Sequence, residues 1–465
     1  MYSPYGEKKA TMNQLKALKR IEPRILVPLT LGIMFALGDE SSNPKGYIMQ
    51  GRESLIVKIV VFCVLFCALF RTMDILIHRI HAAKDRSCER HCSGFFEYGY
   101  AIKPWLKNAA IIATCWLPYE FWLFPGVYWS DTSKQLLIHY GAEQFTDHHP
   151  FTLTYIFGWF ADFGQQVFHN PIYGLYLLIA IQLIAAPLIF SWMLLYTRKM
   201  GIPQWLCHVE LAFFALFPFF PVMFSSLAKD TISVLFFIPF CILFIDGIRT
   251  KGTSLVRPRT IIALTLCGLL TCLTKKASMY VIIPSMLLMF LIAGVSKKAK
   301  TIAFSIGTAI AVVMIIIIPK TVMPALGIAP GGKQETIPFA IQQVAHDVKY
   351  NNKDITPQER KLISDFLTID YKNIPAAYDP QIADPIKGTS LRNPELFNDF
   401  IKLWLKKTAE HPIGHLEAWM GLVHGWFSFS NNDGSPNDMV VCTESAWYYE
   451  PILKYVPQWP LKANR

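Results

Sequence analysis

Residues 124–164 read FPGVYWSDTSKQLLIHYGAEQFTDHHPFTLTYIFGWFADFG, and the placement of the second half of this stretch decides the fold. From Pro150 to Phe168 the chain is apolar and aromatic, close to the roughly 20 apolar residues that a transmembrane helix needs. Counting it as a crossing puts Arg198 and Lys199 outside and inverts every later loop. Laying it on the outer surface as a helix anchored by aromatic residues leaves the basic clusters on one side.

Working outward, nine crossings are predicted: Ile25–Leu37, Leu55–Ile77, Trp105–Leu123, Ile172–Tyr196, Trp205–Phe224, Thr231–Ile248, Thr260–Leu273, Ser278–Val295 and Thr301–Met323. The first and seventh are short and rely on their flanks or on snorkelling basic residues. With the amino terminus inside, the cytoplasmic segments carry Lys8, Lys9, Lys16, Lys19, Arg20 and Arg24, then Arg79, Lys84, Arg86, Arg90 and Lys103. Later inner loops carry Arg198 and Lys199, then Arg249, Lys251, Arg257 and Arg259, then Lys297, Lys298 and Lys300. The opposite loops hold only Lys45, Arg52, Lys134, Lys229, Lys275 and Lys276. That bias is the positive-inside rule.

Composition agrees. Of 465 residues, 53% are hydrophobic and 17% charged, against roughly 25% charged in soluble proteins. The net charge of +11 comes from lysines and arginines in short loops between apolar blocks, which is a topology signal and not a nucleic-acid-binding face. Most cysteines lie in apolar runs, where a thiol acts as a small hydrophobe. Cys88 and Cys92 with His81 and His91 suggest zinc, but the spacing is irregular and no second cysteine pair follows. The amino-terminal segment reads as a basic cytoplasmic tail, with no small-residue cleavage site after it.

The expected architecture is all-α and integral to the membrane. Residues 1–323 form a polytopic domain whose first large exported loop is 124–170, and residues 324–465 form an exported, mostly helical region. In that region Thr356-Pro357-Gln358-Glu359 is a capping box with proline at the first helical position. Asn393-Pro394-Glu395 opens a helix whose apolar face is Leu396, Phe397, Phe400, Ile401 and Trp404. Ile413 to Phe429 is rich in Trp and Gly and suits the membrane interface.

The chemistry-bearing residues concentrate outside. Asp131, Gln135, Asp147, His148 and His149 crowd the first large exported loop. Taken alone, Asp131 reads as the cap of a helix over 132–140 and Asp147 as the start of a turn before Pro150. Together, two carboxylates and two adjacent imidazoles offer a general base and metal ligands at one membrane surface. Lys229-Asp230 and Lys275-Lys276 sit at exported helix ends, on the side that the charge bias disfavours. They serve either as snorkelling lysines or as partners of an anionic headgroup. In the latter case each charge about 4 Å from a phosphate contributes on the order of 4 kcal/mol at an effective dielectric near 20.

Several short pieces in fixed order resemble the GT-C superfamily of membrane glycosyltransferases, and more closely an uncharacterised branch of it in Gram-positive bacteria. They are Pro125-Gly126 with Asp131 and Gln135, Asp147-His148-His149-Pro150, Lys229-Asp230 at a helix start, and Ile341-Gln342-Gln343-Val344-Ala345. Ile382-Ala383-Asp384-Pro385-Ile386-Lys387 and His411-Pro412 follow. The resemblance implies a GT-C-like bundle with a catalytic first exported loop and a polyprenyl-phosphate or polyprenyl-diphosphate sugar donor. It also implies a cell-envelope glycan, lipid or protein acceptor, and no nucleic acid. An acidic residue of the loop serves as base or metal ligand in that superfamily, which carries over to Asp131 or Asp147. The loop lacks the adjacent Asp-Asp or Asp-Glu pair seen there, so the acting carboxylate stays open between the two.

The implied mechanism has a carboxylate, Asp131 first and Asp147 second, accept the proton of an acceptor hydroxyl as it attacks the anomeric carbon. The centre inverts. The departing lipid phosphate is met by Lys229, Lys275 and Lys276, by His148 and His149, or by a divalent cation (magnesium or manganese) at Asp147 and His148. Gln135, Asp230, Gln342 and Gln343 are expected to touch substrate. Two rival functions remain: a lipid or glycan transporter, which places polar groups at the midplane on broken helices, and a non-catalytic membrane scaffold.

Overall fold

A computed structural model describes residues 23–42, 52–84, 102–429 and 451–459. Cys88, His91 and Cys92 lie outside the described residues, as do the first 22. The described chain is helical almost throughout. In order come α1 (Pro23–Ser41), α2 (Arg52–Lys84), α3 (Ile102–Leu123), β1 (Val127–Tyr128), α4 (Ser130–His139), α5 (Phe151–Phe168) and α6 (Pro171–Lys199). Then follow α7 (Gln204–Leu216), α8 (Phe219–Phe224), β2 (Ser226–Leu227), α9 (Lys229–Arg249), α10 (Pro258–Thr274), α11 (Met279–Leu287) and α12 (Lys297–Ala325). The last group is α13 (Pro338–Tyr350), α14 (Pro357–Phe366), α15 (Phe397–Glu410) and α16 (Pro412–Val423).

Four helical stretches are long and apolar enough to cross a bilayer: Ser54–Ile77, Pro171–Lys199, Lys229–Arg249 and Lys297–Ala325. In the first, Ile56, Val57, Val60, Val61 and Val64 are all more than half exposed. A bare aliphatic stripe of that kind is stable in hydrocarbon and not in water. The chain is an all-α membrane protein.

Local chemistry sets the helix ends. Asn170 caps α6 by accepting from the Ile172 N–H, with Pro171 at the first helical position, and Arg198 and Lys199 occupy the last turn, where basic charge complements the helix dipole. The stretch Trp205–Phe224, read above as one crossing, is broken in two. Pro218 brings no N–H and holds Phe217 extended (ψ 115°), so α7 stops at Leu216 and α8 restarts at Phe219. The stretch after Ser278 also falls short of a long helix, because α11 ends in a 3₁₀ turn over Leu288–Leu291. Inside α12, Val312–Val322 winds as a π-helix around Pro319, which has no N–H to give.

Packing divides the chain into two units, one of residues 83–331 with 439–465, the other of residues 1–82 with 332–438. The division falls at Gly332, a little beyond the expected boundary at Met323, and it assigns α1 and α2 to the later unit. In that unit α1, α2 and α16 share a cluster of Ala36, Leu55 and Met420. Its polar part is organised around α13, whose residues Ala340 to Val348 are all buried. The capping box at Thr356 and Glu359 forms as read from the sequence. Asn393-Pro394-Glu395 leads through a 3₁₀ turn into α15, and Phe400 stacks on Phe366 with ring centroids 4.3 Å apart. The fully buried Lys407 is satisfied by the Asp354 carbonyl, Glu410 and Glu359.

The other unit contains Asp131, Gln135, Asp147, His148 and His149 together with Lys229, Asp230, Lys275 and Lys276. Its core comprises α4, α5, α6 and the carboxy-terminal Ile452, Val456 and Trp459, beside a second cluster built on α9 to α12. As read from the sequence, α5 is a helix; its buried face is Leu153, Thr154, Phe157, Gly158, Ala161 and Gly164.

Candidate active site

Two residues of strand on each side organise the site. Val127 and Tyr128 pair in parallel with Ser226 and Leu227, and the Val127 N–H donates to the Ser225 carbonyl at 3.0 Å. Each strand runs at once into a helix, β1 into α4 and β2 into α9. Asp131 in the first turn of α4 and Lys229 at the start of α9 are thereby brought side by side, although 98 residues separate them. Gly126 makes the entry possible. Its φ is +106°, which favours glycine, and a Cβ there would also oblige the Ile179 side chain to shift.

Buried hydrogen bonds hold this frame. Thr132 Oγ1 donates to the Leu227 carbonyl at 2.5 Å. Gln182, 1% exposed in the middle of α6, donates to the Ser226 carbonyl at 3.2 Å and accepts from Thr231 Oγ1 at 2.9 Å. Gln182 was not singled out from the sequence. Its signal was there, since an amide inside an apolar span needs partners.

Asp131 does not cap its helix; no side chain caps α4. Its carboxylate instead receives Lys229 Nζ at 2.6 Å, and His149 Nδ1 lies 3.8 Å from the same oxygen. Asp147 is paired with Lys276, whose ammonium donates at 2.6 Å to Oδ2 and at 3.0 Å to the Asp147 carbonyl. Asp230 is paired with Lys275. The loop carrying Asp147 is tied down by its own N–H, which donates to the Ala329 carbonyl at 2.9 Å. Thr152 Oγ1 fastens the start of α5 to the Leu273 carbonyl at 2.5 Å, which fixes the lysine turn against the loop.

These contacts close on themselves. Asp131 pairs with Lys229, Lys229 precedes Asp230, Asp230 pairs with Lys275, Lys275 precedes Lys276, Lys276 pairs with Asp147, and Asp147-His148-His149 leads back to Asp131. Pairwise contacts and chain adjacency thus link Asp131, Asp147, Asp230, His149 and the three ammonium groups in one circuit.

Electrostatics separate the two candidate bases. Burial works against ionisation of Asp131, but Lys229, with His149 and His148 behind it, outweighs burial and holds the carboxyl below its ordinary pKa. At Asp147 burial outweighs Lys276, and the carboxyl sits above its ordinary value. Burial pushes the His149 imidazole down to about 4 against the pull of Asp131, with Lys229, His148 and Lys134 adding to the fall. At neutral pH His149 is therefore uncharged; its Nδ1 has no hydrogen-bond partner. His148 is exposed, its ring edge-on to His149 with centroids 4.6 Å apart.

The three glutamines expected to touch substrate have partners within the fold. Gln135 is 1% exposed and donates to Thr154 Oγ1 at 3.2 Å, bracing α4 on α5. Gln342 is fully buried, with its amide on the Asp379 carbonyl. Gln343 donates to the His415 carbonyl at 2.7 Å and accepts from Trp404 Nε1 at 2.6 Å. All three amides make hydrogen bonds within their own units, and Gln342 Oε1 is buried without a partner. As to a cation, Asp147 and His148 bring two ligands, and among the described residues no three His, Cys, Asp or Glu side chains come together. The pair does not by itself make a resident metal site.

No curated protein and no solved structure matches the chain. A family model matches residues 137–451, a stretch that includes Asp147, His148, His149, Lys229, Asp230, Lys275 and Lys276 and begins just after Asp131. With well over half of its length covered, the chain belongs to this family, a family of unknown function designated DUF6020.

Proposed function

We propose that the protein is a membrane glycosyltransferase of GT-C-like character, passing a sugar from a polyprenyl-phosphate or polyprenyl-diphosphate donor to a cell-envelope acceptor. The reading places about nine crossings in the plasma membrane, the amino terminus in the cytoplasm, and both the ion-pair circuit and the region beyond Met323 outside. The bias of basic residues supports that sidedness. The observation that carries the functional reading is the closed circuit of three Asp–Lys pairs and His149. It is assembled from helix termini: the first turn of α4, the first residues of α9 and the turn after α10. A transporter would instead place its polar groups at the bilayer midplane.

In the chemistry proposed, an incoming lipid phosphate draws Lys229, Lys275 and Lys276 from their carboxylates. Each of these ammonium groups is partly exposed and can turn toward a new anion. Losing Lys229 removes the charge that most depresses the Asp131 pKa, so donor binding turns a weak base into a stronger one. Asp131 then takes the proton of the acceptor hydroxyl as its oxygen bonds to the anomeric carbon. The bond from that carbon to the phosphate oxygen breaks, its electron pair stays on the phosphate, and the lysines stabilise the charge. Attack opposite the leaving group inverts the centre.

In a strain dependent on the protein, Asp131→Asn is expected to lower transfer about 10²- to 10⁴-fold, the usual contribution of a general base. The lipid-linked donor then accumulates in lipid extracts. If Asp131→Asn and Asp147→Asn both leave envelope glycans and lipid-linked sugars unchanged, the enzyme reading fails and a scaffold role survives.

A further inference from the structure

A recess of about 430 Å³ lies between α3 and α6. Its lining is apolar, with Trp116 and Phe121 on one side and Tyr176 and Leu183 on the other, and its one acidic group is Glu120. Ala113 and Ala180 also line it, and their short side chains leave room that larger ones would fill.

Glu120 ties this recess to the ion-pair circuit. It accepts from Ser225 Oγ at 2.9 Å, and the Ser225 carbonyl receives the Val127 N–H that joins the two strands. The polar end of the recess is therefore part of the element that aligns Asp131 with Lys229. Four residues carry the chain from Ser225 to Lys229, a span of at most about 14 Å. At the other edge Phe124, a lining residue, leads directly into Pro125, Gly126 and β1.

We propose that this recess holds the hydrocarbon chain of the lipid whose phosphate the circuit binds, with the chain passing Glu120 on its way to the lysines. The inference rests on the lipid-phosphate reading above and adds where the rest of that substrate lies. The recess has the polarity of an amphiphile, apolar along its length and polar where it adjoins the site. Glu120 offers a phosphate no cationic partner, whereas the lysines do, so the charged group passes Glu120 to the ammonium groups and only uncharged carbons remain beside it. Hydrophobic burial does not select this chain over bulk lipid, since both are hydrocarbon. Shape does: a recess with small walls admits one chain in one place and sets its phosphate in register with Lys229.

The test uses the full chain in detergent and two probes, farnesyl diphosphate and inorganic diphosphate. Ala180→Trp fills the recess and is expected to weaken farnesyl diphosphate about tenfold, the effect of overfilling a packed apolar site, while inorganic diphosphate binds as before. Leu183→Trp, one turn further along α6, is measured in parallel, and unchanged inorganic diphosphate binding certifies the site in either variant. Should both variants bind farnesyl diphosphate as tightly as the parent, the recess is not the chain's seat and the lipid-phosphate reading still stands. Should the parent bind neither probe, that reading falls and the inference with it.

Discussion

Replacing Lys276 by methionine isolates one arm of the circuit. Lys276 Nζ makes two hydrogen bonds to a single residue, at 2.6 Å to the Asp147 carboxylate and 3.0 Å to its carbonyl. A hydrogen bond to a charged group contributes about 1.5–3 kcal/mol, whereas an exposed ion pair contributes about 0–1 kcal/mol. The carboxylate side chain is 11% exposed and the ammonium side chain 43%, so the pair falls between these limits, and about 2 kcal/mol of destabilisation is expected. Methionine keeps most of the apolar stem and removes the charge. The sharper consequence is in pH. Burial already raises the Asp147 pKa despite Lys276, and without Lys276 only burial is left. A carboxyl whose folded pKa lies above its unfolded value binds its proton more tightly when folded. Its contribution is present below the unfolded value of about 3.9 and is lost as pH rises through the folded pKa. Lys276→Met should therefore lose stability with rising pH over a wider window than the parent, and Lys276→Met with Asp147→Asn should not. Thermal unfolding of the four proteins of this double-mutant cycle, between about pH 4 and pH 8, measures both effects. Additivity within about 0.5 kcal/mol, together with an unchanged pH profile, refutes the claim that Lys276 neutralises a buried carboxylate.

Two further outcomes follow from the same geometry. Gly126→Ala forces a side chain into a left-handed backbone position and against Ile179. The expected cost is about 1–3 kcal/mol from the backbone alone, with reduced transfer because Asp131 follows directly; Gly126→Ala with Ile179→Val eases the overlap without the backbone strain, so an unfolding midpoint restored to the parent value contradicts the argument. His149 is buried and neutral, its pKa lowered from 6.5 to about 4; the stability this represents is complete above about pH 6.5 and is lost as pH falls toward 4, by about 3 kcal/mol. His149→Asn should flatten that acid slope in a titration of stability, and an identical slope in both proteins argues against a buried neutral imidazole.

Much of the candidate site was legible because its charges interrupt apolar stretches. On the sidedness proposed above, Lys229, Lys275 and Lys276 stand out as cations on the side the basic bias avoids, and Asp131, Asp147 and the two histidines as a polar knot between apolar stretches. Which charge meets which was not legible. The pairing of Asp131 with Lys229 depends on β1 and β2, and two residues per strand are too few to show an alternating pattern. Gln342 and Gln343 looked available because a glutamine's hydrogen bonds leave no trace in sequence; their partners lie on Asp379, Trp404 and His415, far along the chain. The interruption after Leu216 had a local signal in Pro218. The membership of α1 and α2 in the later unit had none, since it rests on contacts such as Ala36 and Leu55 with Met420.

Every step of the proposed chemistry requires the circuit to face away from the cytoplasm, and one labelling experiment reads that directly. Lys134 is exposed on α4, one turn beyond Asp131. With the ten native cysteines replaced and a single cysteine placed at position 134, intact cells are treated with a membrane-impermeant maleimide. Labelling before lysis is the outcome expected. Labelling only after the membrane is permeabilised puts Asp131 and its partners in the cytosol, and contradicts transfer from an exported lipid-linked donor.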